Sequence, residues 1–326
     1  MQLYDQTEGQ TAFGSCCSLE DLADARRVAA AIPIPHYIVN FERQFDEQVV
    51  SNFVREYAAG RTPLPCARCN SDLKFATLVE RARGFGAGAV ATGHYARVER
   101  DAGGRFVLKR ALDAAKDQSY FLFSLTQDQL ARAVFPVGDR PKESVRAYAR
   151  ARRLPVADKA DSQEICFIPD HDYARFVAAR APDVARTGLI VDQAGRTLGR
   201  HDGIHRFTVG QRKGLGLASS GSNSRAPMYV LHLRPADRAV VVGPKASLER
   251  TTLTASQVNW IVEKPAGPLR AAAQIRHRHL AGPATVRALP DCRAEVVFDA
   301  PQLAVTPGQA AVFYDGDTVI GGGWID

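Results

Sequence analysis

Short apolar runs alternate with amphipathic stretches along the N-terminal part of the chain, and that alternation restricts what it can fold into. Gln2 to Tyr4 resembles the end of a strand, and a helical pattern follows from Ser18, a suitable N-cap, with Glu20 and Asp21 in the first turn and an end near Ile32. His36 to Phe41 (HYIVNF) has the composition of a buried strand. Phe45 to Ala59 and Asp72 to Arg83 are helical patterns, and Ala89 to Thr92 is a further strand that ends in Gly93-His94-Tyr95. This β-α-β-α-β order predicts a parallel, doubly wound sheet. Ligands of such sheets bind beyond the carboxyl ends of the strands, which is where Gly93 and His94 fall.

Helical patterns continue at Gln127 to Ala133 and Lys142 to Arg152, whose last residues, with Arg153, form a solvated basic end. After about Ala181 the character changes. Glycine and turn residues become frequent, and short alternating β patterns appear at Tyr229 to Leu233, Ala239 to Val242, Ala294 to Phe298, Ala310 to Tyr314 and Val319 to Trp324. They predict an antiparallel barrel or sandwich at the C-terminal end. A chain of 326 residues can hold two or three domains.

With 45% hydrophobic and 24% charged residues, the composition is that of a water-soluble globular protein. No apolar run approaches the ~20 residues that span a bilayer, and the N-terminus lacks the pattern of a secretory signal. A cytoplasmic location without membrane attachment is expected. Six cysteines, Cys16, Cys17, Cys66, Cys69, Cys166 and Cys292, are too scattered for a disulfide scaffold. The net charge of +7, from 42 Lys+Arg against 35 Asp+Glu, suits an acidic partner such as nucleic acid, and the high arginine of a GC-rich genome would explain it equally well.

Two cysteines stand in settings that suggest thiol chemistry. Cys166 lies between apolar stretches in DSQEICFI, and Cys69 closes PCARC just before a helical pattern. With Asn70 or Ser71 as cap, Cys69 would lie near the positive end of that helix, which favours the reactive thiolate. Cys66-x-x-Cys69 is also compatible with half a zinc site, a redox pair or partly buried cysteines. No second pair has the spacing of a four-ligand zinc site, so no metal site is assigned. Lys116-Asp117-Gln118-Ser119 precedes an aromatic-apolar run and resembles a helix start capped by Asp117. Gly210-Gln211-Arg212-Lys213-Gly214-Leu215-Gly216 lacks the spacing of a nucleotide-binding P-loop; flexible backbone with two cations suits RNA phosphates or a solvated loop. Arg276-His277-Arg278-His279 alternates basic groups, as along one exposed strand.

The ordered set TPLPCARCNSDLKF, ATGHYAR, KDQSYFLFSL, LPVADKADSQEICFI, TVGQRKGLG and VTPGQAAVFYDGDTVIGGGWI closely resembles the bacterial tRNA-specific 2-thiouridylases, over essentially the whole chain. The resemblance implies an adenine nucleotide alpha hydrolase-like catalytic domain at 1–182, a central tRNA-recognition domain at 183–247 and a β-barrel domain at 248–326. It implies replacement of the carbon-2 oxygen of the tRNA wobble uridine by sulfur, with ATP as its magnesium complex and a persulfide relayed by a sulfur-carrier protein, in an enzyme that acts largely as a monomer. Cys166 matches the persulfide carrier and Cys69 the partner thiol that ends in a disulfide with it. Gly93 and His94 fall on the nucleotide side. Lys116, Asp117, Gln118, Arg212, Lys213, Arg276 and His277 match tRNA-binding positions.

Two departures stand out. The family's S-G-G-x-D-S phosphate loop does not occur in the sequence. The chain is expected to start at the second strand of the sheet, without about 30 residues of one β-loop-α unit, and to be poorly active, or a non-catalytic tRNA-binding remnant. Cys66 also stands where some relatives carry an aspartate thought to act in proton transfer.

Overall fold

The computed structural model of the protein describes residues 1–3, 19–159, 161, 165–168, 170–217 and 227–326. The expected N-cap Ser18 and the cysteines Cys16 and Cys17 lie outside the described residues. The chain divides into two compact units, 1–51 with 65–173, and 52–64 with 174–326.

The first unit begins with α1 (Leu19–Ala31), whose carboxylates Asp21 and Asp24 both hold Lys159. A helical run 42–58 (α2) follows, widened to π-helical turns at Asp46–Val50, and its last residues belong to the second unit. A second run, 65–84 (α3), opens on Pro65 and is π-helical over Cys69–Thr77. Then come β1 (Val90–Ala91), the antiparallel hairpin β2 (Ala96–Arg100) and β3 (Phe106–Arg110), α4 (Gln127–Leu130), β4 (Ala133–Val134) and α5 (Lys142–Ala151). Thr126 and Gln129 form a reciprocal capping box on α4, which satisfies two amide donors of its first turn.

β1 pairs in parallel with β4. The expected buried strand at His36 to Phe41 is corrected. It makes a single parallel bridge, Asn40 with Gln2, while Tyr37 is 70% and Ile38 44% exposed. The physical reason is the number of neighbours. Gln2 alone among the described residues supplies ladder bonds to Val39 and Phe41, and one bridge among them makes no sheet face to cover the alternate side chains. The helical pattern to Ala133 also shortens, because Ala133 and Val134 leave α4 to pair with β1.

The second unit starts with α6 (Tyr173–Arg180), of which all but Tyr173 belongs to it. It holds two sheets. One has the order β6-β5-β8-β7, from β5 (Gly188–Val191), β6 (Thr197–His201), β7 (Tyr229–Arg234) and β8 (Ala239–Gly243). The other comprises β9 (Glu249–Trp260), β10 (Leu269–Gln274), β11 (Gly282–Leu289), β12 (Arg293–Leu303), β13 (Ala310–Asp315) and β14 (Thr318–Ile325). It runs β13-β10-β11-β12-β9-β14, and β13 pairs back with β14 to close an antiparallel barrel. Closure leaves no unpaired edge, and the enclosed Ile275, Val286, Val296, Phe298, Phe313 and Ile320 form its core. The glycine run of β14 has a packing cause. A Cβ on Gly321 would stand 2.4 Å from the Asn259 carbonyl oxygen, and one on Gly323 2.7 Å from that of Ser256. Residues 52–64 dock on the barrel through Arg61 to the Ile325 carbonyl (2.9 Å) and Thr62 N–H to the Pro307 carbonyl (2.8 Å).

No described helix is long and apolar enough to cross a membrane.

Candidate functional site

Cys69 sits one turn inside α3 and is 7% exposed; Cys66, in the first turn, is exposed. The expectation that Asn70 or Ser71 caps this helix is corrected. Proline at the first position, where no amide donor is needed, starts the helix at Pro65. Asn70 and Ser71 are interior, and their side chains serve the widened turns instead. The Ser71 hydroxyl donates back to the Ala67 carbonyl (3.2 Å), and the Thr77 hydroxyl to the Asp72 carbonyl, five residues back (3.2 Å). The Ser71 carbonyl accepts from the Gln129 side-chain amide on α4 (2.9 Å). Side-chain donors thus occupy backbone groups that ordinary helical bonds would use, which stabilises a π-helical segment. Asn70, 2% exposed, donates to the Phe121 carbonyl (3.1 Å) and accepts from Lys74 (3.1 Å). These bonds lock the α3 backbone around Cys69 to its surroundings.

β1 ends in Thr92-Gly93-His94-Tyr95. The His94 ring nitrogen Nδ1 meets the Thr92 hydroxyl at 2.7 Å, and the ring lies 6.1 Å from Phe75 and 5.9 Å from Phe135. A Cβ on Gly93 would meet nothing within 4 Å, so this strand end leaves open space beside the backbone. No described glycine-rich loop closes on that space.

The 116–118 segment is bound to the same strand end. Gln118 accepts the Tyr95 amide on its side-chain oxygen (2.9 Å) and donates its own amide to the Tyr95 carbonyl (2.8 Å). Asp117 is a structural clamp. Its carboxylate accepts from Arg110 (2.9 Å), from the Ala111 amide (3.0 Å) and from the amide and hydroxyl of Ser119 (3.2 and 2.9 Å). The cap expected at Asp117 is corrected: the element that follows is the single 3₁₀ turn Ser119–Phe121, with Gln118 at its N-cap and no side-chain cap bond, shorter than the helix expected there. Gly138 presses on the following strand so closely that a Cβ would overlap the Ala96 carbonyl oxygen at 1.7 Å.

Sequence reasoning singled out Lys116 but missed Lys142 and the Asp161 carboxylate that the two lysines share. Asp161 accepts from Lys116 (2.8 Å) and from Lys142 of α5 (2.9 Å). Hydrogen bonds from Lys116 and then Lys142 lower its pKa to about 2, against the opposing effect of burial. Lys142 also stands 5.4 Å over the Tyr95 ring. A carboxylate five residues before a cysteine, with two lysines elsewhere in the chain, was the available signal. Cys166 itself is half-buried in a turn, and the next residue, Phe167, packs edge-on against Phe45 of α2 at 5.5 Å. The first unit therefore ties the Cys69 helix, the Gly93–His94 turn, the 116–118 segment and the start of the Cys166 segment into one hydrogen-bonded framework. Ser162, Gln163 and Glu164 lie outside the described residues. Among the described residues no group of three or more His, Cys, Asp or Glu is placed to hold a metal ion.

The other predicted residues belong to the second unit. The Gly210–Gly216 loop is fixed at its base and open at its tip. Gln211 accepts from the Thr208 amide (3.0 Å) and donates to the Lys213 carbonyl (2.9 Å), Leu215 is buried in the small-sheet core, and Arg212 and Lys213 are exposed. Positive φ at Gly210, Gly214 and Gly216 lets the backbone turn this tightly. Arg276 and His277 do not lie along a strand as expected. β10 stops at Gln274, and residues 276–279 make a tight turn in which Arg278 takes φ 63°. Arg276 donates to the Leu303 carbonyl (3.4 Å).

Three family models match successive parts of the chain. The family described as tRNA methyl transferase HUP domain matches residues 1–170, the tRNA methyl transferase PRC-barrel domain 175–244, and the aminomethyltransferase beta-barrel domain 250–325. The tRNA-specific 2-thiouridylase MnmA of Solibacter usitatus is 54% identical over 100% of this chain and 91% of its own length. Those of Geotalea uraniireducens and Zymomonas mobilis are 51% and 48% identical over 100% of this chain, and over 87% and 85% of their own lengths.

Proposed function

We propose a cysteine-based sulfur transfer for this chain from the premise that it belongs to the tRNA-specific 2-thiouridylase family. The chain is a tRNA-modifying enzyme of the sulfurtransferase class, with a nucleotide-binding HUP domain. The finer reading is that it moves sulfur from a Cys166 persulfide to carbon-2 of the wobble uridine. The observation that carries it is that the 116–121 stretch meets both sides, with the Phe121 carbonyl accepting from Asn70 of the Cys69 helix and Lys116 pairing with Asp161 at the start of the Cys166 segment.

The nucleotide expected is ATP as its magnesium complex, and bound ATP would convert the uridine carbon-2 oxygen into a leaving group. Gly93 and His94, at the carboxyl end of a parallel strand with open space beside Gly93, fit the approach of such a ligand. The terminal sulfur of the Cys166 persulfide then bonds to carbon-2 as that oxygen leaves. The Cys69 thiolate attacks the Cys166 sulfur, the S–S bond to the transferred atom breaks, and its electron pair stays on the tRNA sulfur. A disulfide between Cys69 and Cys166 remains, by ordinary thiol–disulfide exchange. Lys116 and Lys142 hold Asp161 and so fix the start of the Cys166 segment, and Gln118 fixes the Tyr95 backbone. The uridine leaves its stack to enter the site, as base-modifying enzymes require.

The exposed pair Arg212 and Lys213 suits phosphate contacts with tRNA, and Arg276 with His277 adds a second basic turn. Division into a catalytic domain 1–182, a tRNA-recognition domain 183–247 and a barrel 248–326, a sulfur-carrier protein as donor, monomeric action and a cytoplasmic location complete the reading. The test is direct. Purified chain, unmodified tRNA, ATP and a small-molecule persulfide are combined, and nucleosides from the digested tRNA are analysed by mass spectrometry. Thiouridine that depends on ATP supports the reading. tRNA binding with no thiouridine formed supports the alternative, a non-catalytic tRNA-binding protein.

A further inference from the structure

We propose that Cys66 is a second resolving thiol, which attacks the Cys69–Cys166 disulfide and frees Cys166 for another turnover. The inference rests on the sulfur-transfer reading above. That reaction leaves the enzyme oxidised by two electrons, with Cys166 locked to Cys69. Something must release Cys166, and Cys69 is 7% exposed, so an external reductant has poor access to its sulfur.

Cys66 is placed to do it. It lies three residues before Cys69 on one continuous helical run, so the two side chains share a face. Helical geometry puts Cα atoms at that spacing about 5 Å apart, inside the range that a disulfide bridges. Arg68, between them, keeps helical φ −60° and ψ −46°, so the widened turns begin only after this step. Cys66 lies in the first turn of α3, at the end where the helix dipole favours an anionic group, and its exposure leaves it open to reagents in solution.

The exchange balances. The Cys66 thiolate bonds to the Cys69 sulfur, the Cys69–Cys166 bond breaks, and the electron pair leaves on Cys166 as thiolate. The oxidation moves to an exposed Cys66–Cys69 disulfide. A dithiol reductant of the solution then donates two electrons and two protons to it and is itself oxidised to a disulfide. Cys66 thus works as a relay between a shielded site and solvent.

Trypsin sites in the chain make the relay readable. Cleavage at Arg61, Arg68, Lys74, Lys159 and Arg175 places Cys66 in peptide 62–68, Cys69 in 69–74 and Cys166 in 160–175. The full chain is given a small-molecule persulfide, ATP and unmodified tRNA without reductant, quenched with an alkylating agent and digested under non-reducing conditions. The expected result is peptide 62–68 linked to 69–74. In Cys66→Ser, and equally in Cys66→Ala, 69–74 should be linked to 160–175 instead, and turnover with added dithiol should fall at least tenfold. Thiouridine formation with 69–74 linked to 160–175 in the wild type, and full turnover in both variants, would overturn the relay alone. If the wild type forms no thiouridine, the sulfur-transfer reading falls and takes the relay with it.

Discussion

Replacing Asp161 by asparagine removes the charge that anchors the start of the Cys166 segment, and its cost can be worked from the structure. The carboxylate accepts hydrogen bonds from Lys116 and Lys142, which bring its pKa from 3.8 to about 2. At 1.36 kcal/mol per pKa unit that is about 2.5 kcal/mol of differential interaction. The side chain is 30% exposed, so solvent screening reduces the expected loss to about 1–2 kcal/mol. The sign follows from linkage. A carboxyl whose folded pKa lies below its unfolded value stabilises the fold above the unfolded pKa, and that contribution disappears as pH falls through the folded pKa. Wild type and Asp161→Asn should therefore differ by the full amount at neutral pH. The gap should narrow from 3.8 downward and vanish near pH 2. Urea denaturation in a pH series measures it. Turnover in the thiolation assay should fall by about tenfold, since a loosely held nucleophile loses its alignment. A stability gap that is absent at neutral pH, or one that stays constant as pH falls through the range below 3.8, would refute the assignment of Asp161 as a charged anchor.

Three further outcomes follow from named contacts. Gly138→Ala must move the Ala96 carbonyl, which a Cβ would meet at 1.7 Å, so thermal denaturation should show a loss of about 2–3 kcal/mol and thiolation should drop with the displaced Tyr95 backbone. Asp117→Ala strands the Ala111 and Ser119 amides and the Arg110 guanidinium, and a loss of about 2–4 kcal/mol in chemical denaturation is expected. Arg212→Ala combined with Lys213→Ala should leave stability unchanged within about 0.5 kcal/mol because both side chains are exposed. The pair should also weaken tRNA binding and lower the salt slope of log K by about 1 to 2, read by filter binding across salt concentrations.

The parts of the fold that sequence made legible are those with strong local signals. β7, β8, β13 and β14 were visible because valine, isoleucine and aromatic residues alternate between turn residues over Tyr229–Arg234, Ala239–Gly243, Ala310–Asp315 and Thr318–Ile325. β9, β10 and β11 were not, because Arg, Thr, Gln and Ala occupy their outward faces and dilute the alternation. HYIVNF failed for the opposite reason. Its local propensity is that of a strand, but a ladder needs neighbours, and among the described residues Gln2 is the neighbour it has. At the site, Cys69 and Cys166 stood out as motifs in the chain, while the anchors did not. Asp161 with Lys116 and Lys142 joins residues far apart in sequence. The π-helical turns after Arg68 depend on a glutamine from another helix, Gln129, reaching the Ser71 carbonyl. Such contacts are set by tertiary packing and leave no local pattern to find.

The central claim is that the sulfur entering tRNA passes through Cys166. The chain is loaded with radiolabelled persulfide sulfur, the donor is removed, and unmodified tRNA and ATP are added. Label should start on peptide 160–175 and move into thiouridine, and Cys166→Ser should neither hold nor transfer it while still binding tRNA. Label that stays on the protein while unlabelled thiouridine forms, or thiouridine made by Cys166→Ser, would contradict the account.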